Sequence, residues 1–339
     1  MPTKKGMLVF KRMYFLILTL FLLGAVPIQA EVIVEENFDS YTWNIDAAMK
    51  NTECGGSYSP CGSGGRTAPT GWDGYRANSP TTGTAYIGSL PTSNVDHTLG
   101  TTSGHAFIAY YSSAGGDSAI GRNFPSMTEY PEIWSSVWIR AKGSTTVTGP
   151  GQKTFRFMRL DPGYDNMWSF FSEGNGCPIW VLTLYSNGST GGWKTTFRCD
   201  PQASAYYCTP DYDSNDGMAW DPAGAGWQDT SWHKIKVHLK MNTSLGASDG
   251  IAQLWVDDNL VDNRSNINWR RSGADASGWN QVDLGGNSPP DTSPEIWVAF
   301  DDLIVATTEA EVDGEEDETA PTVTATGISG GSGAGCVIR

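Results

Sequence analysis

Apolar residues in this chain recur at every second position in short runs, and from Glu31 onward they never sustain the 3.6-residue period of a helix. The clearest runs are 133–141 and 232–241. In the first, Ile133, Val137 and Ile139 alternate with Trp134, Ser136, Trp138 and Arg140; in the second, Ile235, Val237, Leu239 and Met241 alternate with Lys234, Lys236, His238 and Lys240. Each reads as a strand with one apolar face for a core. The opposite face is aromatic and polar in the first and a cationic stripe in the second.

Runs rich in Val, Ile, Trp, Tyr and Phe, bounded by Gly, Pro, Asn and Ser, predict further strands at 32–38, 85–87, 105–111, 119–124, 153–160, 167–171, 179–185, 193–198, 251–256 and 296–306. About a dozen strands exceed what one open sheet holds comfortably. The prediction is therefore an all-β, two-sheet antiparallel β-sandwich of the jelly-roll form. Three turn-rich stretches, 40–83, 200–229 and 264–294, are too long for simple connectors. The middle one holds Tyr206, Tyr207, Tyr212, Trp220 and Trp227, which reads as an ordered loop facing sugar or packed on itself.

The ends have a different character. Residues 1–30 carry Lys4, Lys5, Lys11 and Arg12, then an apolar run from Met13 to Ala25, then Ile28-Gln29-Ala30, which together read as a cleaved signal peptide. The apolar run falls short of the ~20 residues of a membrane span and is followed by Pro27. The expectation is a protein exported to the cell surface or beyond, with no span in the mature chain. The domain is then 31–308, and 309–339 is a tail: seven of the ten residues from Glu309 to Glu318 are acidic, and a Thr-rich and Gly-rich end with Cys336 follows.

Removing the four signal cations from 22 Lys+Arg leaves 18 against 37 Asp+Glu, a net charge of −19. That disfavours nucleic acid, which needs clustered cations, and suits solubility outside the cell. Six cysteines without a metal-type spacing read as disulfides in an exported chain. Cys54 and Cys61 are close enough to staple one loop. Cys177 and Cys199 flank Gly188 symmetrically, as partners across a hairpin do, while Cys199 with Cys208 is an equally legal closure.

The opening EENFDS, the segment WHKIKVHLKMN followed by DGIAQLWVDDNLV, and the closing FDDLIVAT resemble the concanavalin A-like lectin/glucanase superfamily, closest to its polysaccharide-lyase-like branch. The resemblance implies that the first and last strands are neighbours and that a concave face cradles a polysaccharide. The glucanases of that superfamily carry E-x-D-x-x-E on one strand, and no such string occurs on any strand predicted here, so glycoside hydrolysis is disfavoured. The alginate-lyase signatures R-x-E-L-R and Q-I-H are absent as well.

Polysaccharide binding is the first reading and lyase activity the second, beside a third class, a structural or adhesive surface protein, which the acidic Cys-bearing tail fits. A lyase acting by β-elimination needs a cation to neutralise the uronate carboxylate and a base for the α-proton, and Arg140, Arg159, Tyr185 and His238 supply those groups on predicted strands. For His238 the competing reading is a solvent-facing residue among lysines. Carbohydrate binding needs less: flat rings for the C–H face of a sugar and polar groups for its hydroxyls. Trp134 and Trp138 lead, because their strand already has an aliphatic face for the core, with Arg140 and Arg156 beside them. For metal, Asp211, Asp213 and Asn215 alternate as oxygen donors ahead of Gly217, a pattern that suits Ca2+, although the glycine comes one place late for an EF-hand and Pro222 replaces the closing acid. A plain Asx-rich turn is the competing reading. Asp301 or Asp302, beside the first strand, are the other Ca2+ candidates that the resemblance implies.

Overall fold

A computed structural model describes residues 30–40, 43–44, 69–77, 83–88, 105–111, 116–142, 152–160, 178–187, 190–199, 232–271, 273–288 and 296–314. Along these run β1 (Val32–Glu36), β2 (Trp43–Asn44), β3 (Gly74–Ala77), β4 (Gly83–Gly88), β5 (Ala106–Tyr111), β6 (Gly116–Asn123), β7 (Glu132–Lys142) and β8 (Gln152–Met158). They continue with β9 (Ile179–Asn187), β10 (Thr190–Arg198), β11 (Trp232–Lys240), β12 (Gly250–Val256), β13 (Asn259–Ile267), β14 (Gln281–Ser288), β15 (Ile296–Ala306) and a short helix, α1 (Glu309–Asp313).

The strands form two antiparallel sheets. One has nine strands in the order β13-β12-β11-β7-β15-β5-β4-β2, with β1 also paired to β15; the other has six, in the order β10-β9-β8-β14-β6-β3. This is the two-sheet β-sandwich that the alternation predicts. Ile133, Val137, Ile139, Ile235, Val237 and Leu239 bury against Phe155, Phe157, Trp180, Leu182, Val282 and Leu284 of the six-stranded sheet in one continuous core. The even-numbered rows of β7 and β11 therefore point away from the core.

The first and last strands are neighbours: β1 runs along Leu303 to Ala306, while β5 takes the same edge of β15 at Ile296 to Phe300. The β12–β13 hairpin turns on Asp257 and Asp258, both left-handed at φ 48° and 62°. That is the two-residue turn whose twist matches the flanking strands. Asp257 binds back to β11, accepting the Lys234 amide at 2.9 Å through its side chain. Among the described residues, no helix is long and apolar enough to cross a membrane.

Four elements differ from the pattern reading. β14 and the end of β13 lie inside the stretch 264–294, and β2 and β3 lie inside 40–83. In β14 only Val282 and Leu284 face the core before Gly285 and Gly286 interrupt the alternation, so local pattern reads it as turn. Gly285 sits at φ +80°, where an added Cβ would lie 2.2 Å from the Ser118 carbonyl oxygen. The acidic segment does not begin as free tail either, because Glu309–Asp313 folds against the nine-stranded sheet. The strand expected at 167–171 lies outside the described residues.

Candidate functional site

Position along the strands decides which rings reach solvent. Nine tryptophan side chains are described, and Trp72, Trp180, Trp269, Trp279 and Trp297 are buried. The other four, Trp134, Trp138, Trp232 and Trp255, are half-buried, and all four stand on the outer face of the nine-stranded sheet. The side chains between Trp134 and Trp255 on this face are polar, while Trp232 packs on a small apolar cluster of Ala106, Ile108, Trp297 and Ala299. Asn263, Gln253, His238 and Trp134 form one row across β13, β12, β11 and β7.

That row is wired together. The His238 ring stacks on Trp134 with centroids 3.8 Å apart and planes 8° from parallel, and Trp255 lies 5.7 Å from Trp134. His238 meets Gln253 Oε1 through Nδ1 at 2.9 Å and Glu132 Oε1 through Nε2 at 2.8 Å. Gln253 Nε2 donates to Asn263 Oδ1 at 2.9 Å, and Lys240 reaches the other Glu132 oxygen at 2.8 Å.

The His238 hydrogen bond, joined by Lys240, holds the Glu132 carboxyl down at about 2 from its ordinary 4.5, against the opposing effect of partial burial. A depressed carboxylate stabilises the fold above its unfolded value and loses that contribution as pH falls through the folded one. Glu132→Gln is therefore expected to flatten the fall of the unfolding temperature between about pH 4.5 and about 2. An acid limb identical to the parent's would show that the trio adds nothing.

The centre of the face is covered by α1. Lys236 Nζ donates to Glu309 Oε1 at 2.8 Å and to Asp313 Oδ2 at 3.0 Å, and the Ser136 hydroxyl donates to the Val312 carbonyl at 3.1 Å. Burial works against the Lys236 charge, but the bonds from Glu309 and Asp313 outweigh it, so its pKa is raised. Thus the cationic stripe on β11 and the acidic segment after β15 meet each other.

The outer face of the six-stranded sheet holds a different arrangement. Arg156 on β8 and Asp283 on β14 are register partners, with Nη2 3.0 Å from Oδ2 and both side chains buried. Burial pushes the Asp283 carboxyl up to about 6 even with Arg156 alongside. Gln281, also buried, places Nε2 3.4 Å from Asp283 Oδ1. A carboxyl titrating near neutrality beside a guanidinium on a polar sheet face is the kind of group that acid–base chemistry uses.

The residues singled out from the sequence fall into separate places. Trp134, Trp138, Arg140 and His238 share the outer face of the nine-stranded sheet, but Arg140, which lies 5.9 Å over the Trp297 ring, is six residues and about 20 Å along β7 from the His238 partner Trp134. Arg156 belongs to the six-stranded sheet, as does Tyr185 on β9, of which only the backbone is described. Arg159 follows β8 and donates to Glu129 at 2.9 Å, and the same carboxylate accepts from Ser277 and Gly278. Hence Arg140 and His238, although on one face, stand about 20 Å apart, and the Arg159 guanidinium is engaged with Glu129.

Cys199 is disulfide-bonded. Cys54, Cys61 and Cys177 lie outside the described residues, as do Asp211, Asp213 and Asn215. Asp301 is buried on β15 and Asp302 is left-handed at φ 46° in a bulge; among the described residues no group of three or more His, Cys, Asp or Glu is placed to hold a metal ion. The pattern reading passed over Gln253 and Trp255, although the alternation of Ala252, Leu254 and Val256 places both on the outer face. It also passed over Asp283, which lies in a segment without strand-like periodicity.

No family model matches the chain, and no curated protein matches it. Solved structures do. The alginate lyase Aly36B, in a mutant form with bound alginate trisaccharide, is 15% identical, with 81% of this chain and 98% of that one covered and a TM-score of 0.45. The alginate lyase vAL-1 from Chlorella virus is 15% identical over 62% of this chain and 88% of that one, TM-score 0.40. The carbohydrate recognition domain of Emp46p in its metal-free form is 9% identical over 59% and 81%, TM-score 0.33. Neighbours of this sandwich therefore include alginate lyases and carbohydrate-binding domains.

Proposed function

We propose that this is an exported carbohydrate-binding protein that seats a polysaccharide on the outer face of its nine-stranded sheet. The observation that carries the reading is the segregation of rings: every half-buried tryptophan among the described residues lies on that one face, interleaved with Gln253, Asn263, Lys234 and Arg140. Such rings offer the C–H faces of sugars a flat apolar partner, and the amides and cations between them suit hydroxyls. Filling of the main core does not account for Trp134, Trp138 and Trp255, because each lies on the side of its strand opposite the core residues, whereas Trp232 packs on a small buried cluster of the same face, Ala106, Ile108, Trp297 and Ala299.

Affinity electrophoresis of the secreted chain against a panel of polysaccharides, with and without Ca2+, tests this. Trp134→Ala and Trp138→Ala are each expected to weaken retention on the recognised glycan about tenfold while leaving the unfolding temperature near the parent value. Unchanged retention in both variants would remove the face from consideration.

Polysaccharide lyase is the second reading, and the pair Arg156–Asp283 favours it. An ultraviolet absorbance rise from the conjugated product, on incubation with uronate polysaccharides, that disappears in Asp283→Asn would make the protein an enzyme. No rise with any substrate would leave binding alone.

A further inference from the structure

The outer face of the nine-stranded sheet is cationic at its centre although the chain as a whole carries −15. Lys234, Lys236, His238 and Lys240 occupy alternate positions of β11, and Lys236 Nζ lies 5.0 Å over the Trp255 ring. What covers this cluster is the chain's own acidic helix. Glu309 and Asp313 hold Lys236, Asp313 also lies 3.9 Å from Lys234, and the Val312 carbonyl takes the Ser136 hydroxyl.

The hold is asymmetric. The Lys236 side chain is 9% exposed under the helix, whereas the Glu309 and Asp313 side chains are 46% and 34% exposed. Half-solvated ion pairs of this kind are weak and screened by salt. A five-residue helix has no stability of its own, and Val312 is its one buried side chain. The helix is therefore seated by contacts that another anion with a similar set of oxygens can replace.

We propose that Lys236, Lys234, Ser136 and Trp255 form an anion-recognition subsite for the carboxylate or sulfate of an acidic polysaccharide, and that α1 occupies it as an internal competitor. The inference rests on the reading of this face as the glycan-binding surface. In the exchange, a sugar anion takes the place of Glu309 and Asp313 on Lys236, a sugar oxygen takes the place of the Val312 carbonyl on Ser136, and the ring stacks on Trp255. Neutral glycans gain nothing from the lysines and do not compete.

The test uses the full chain in affinity electrophoresis at low salt through a polyuronate, a sulfated polysaccharide and a neutral glucan. Glu309→Gln with Asp313→Asn is expected to tighten retention on one of the acidic glycans about fivefold and leave the glucan unchanged. The two acidic arms separate carboxylate from sulfate as the natural group. Val312→Ser loosens the helix without altering charge, so an equal gain there separates release of the seat from a change in net charge. Lys236→Ala added to the double variant is expected to erase the gain. Retention on an acidic glycan that neither the double variant nor Val312→Ser improves overturns the competitor, and retention on the glucan alone overturns the anion seat while glycan binding stands. If no protein is retained by any polymer, both readings fall.

Discussion

Replacing Arg156 by Met is expected to cost about 3–5 kcal/mol of stability at neutral pH, because it strands a buried carboxylate. The Asp283 side chain is fully buried and its counter-charge is the Arg156 guanidinium, 3.0 Å away. With the guanidinium gone, Gln281 Nε2 at 3.4 Å is too distant to compensate. The pH dependence carries a definite sign. Burial raises the folded carboxyl to about 6 from 3.8, so the native state takes up a proton before the unfolded chain does. The contribution of Asp283 is full below the unfolded value and is lost as pH rises through about 6. The Arg156→Met deficit should accordingly be largest at neutral pH and shrink toward about pH 4, and a second change, Asp283→Asn, should recover much of it. Urea unfolding across that range gives the answer; a deficit of under about 1 kcal/mol, or one that does not vary with pH, would mean that the pair is not buried as described.

Gly278→Ala is expected to lose about 3 kcal/mol, for a reason of space rather than charge. A Cβ on Gly278 would lie 2.4 to 2.5 Å from the backbone nitrogen, carbon and oxygen of Tyr130. Those atoms cannot swing aside, since Tyr130 and Trp279 exchange two backbone hydrogen bonds, at 2.9 and 2.8 Å. Glu129 clamps the same segment through the Ser277 and Gly278 amides, so the methyl must push apart a bridge pinned on both sides. Gly273→Ala is the control: its Cβ meets open space, and only its left-handed φ of +88° is strained, which costs roughly 1–2 kcal/mol. Thermal unfolding of both variants separates the two causes, and equal losses would contradict the steric account.

The parts of this protein that were legible from sequence are those set by neighbours along the chain. Ile133, Val137 and Ile139 go to the core while Trp134, Trp138 and Arg140 do not, because successive side chains of a strand must point to opposite faces. The same rule placed Lys236 and His238 outward on β11.

What the chain does not display locally is which sheet a strand joins. β14 inserts between β6 and β8, and β15 lies between β7 on one side and β1 with β5 on the other. Those pairings are chosen by contacts spread over the whole chain, and they alone carry Arg140 and His238 to one sheet and Arg156 and Tyr185 to the other. Likewise the lysine stripe and the acidic segment were each visible in sequence, but only the tertiary fold brings Glu309 and Asp313 onto Lys236. Alternation depends on covalent geometry and is readable residue by residue. Convergence of side chains depends on the pairing of distant strands, which no local pattern encodes.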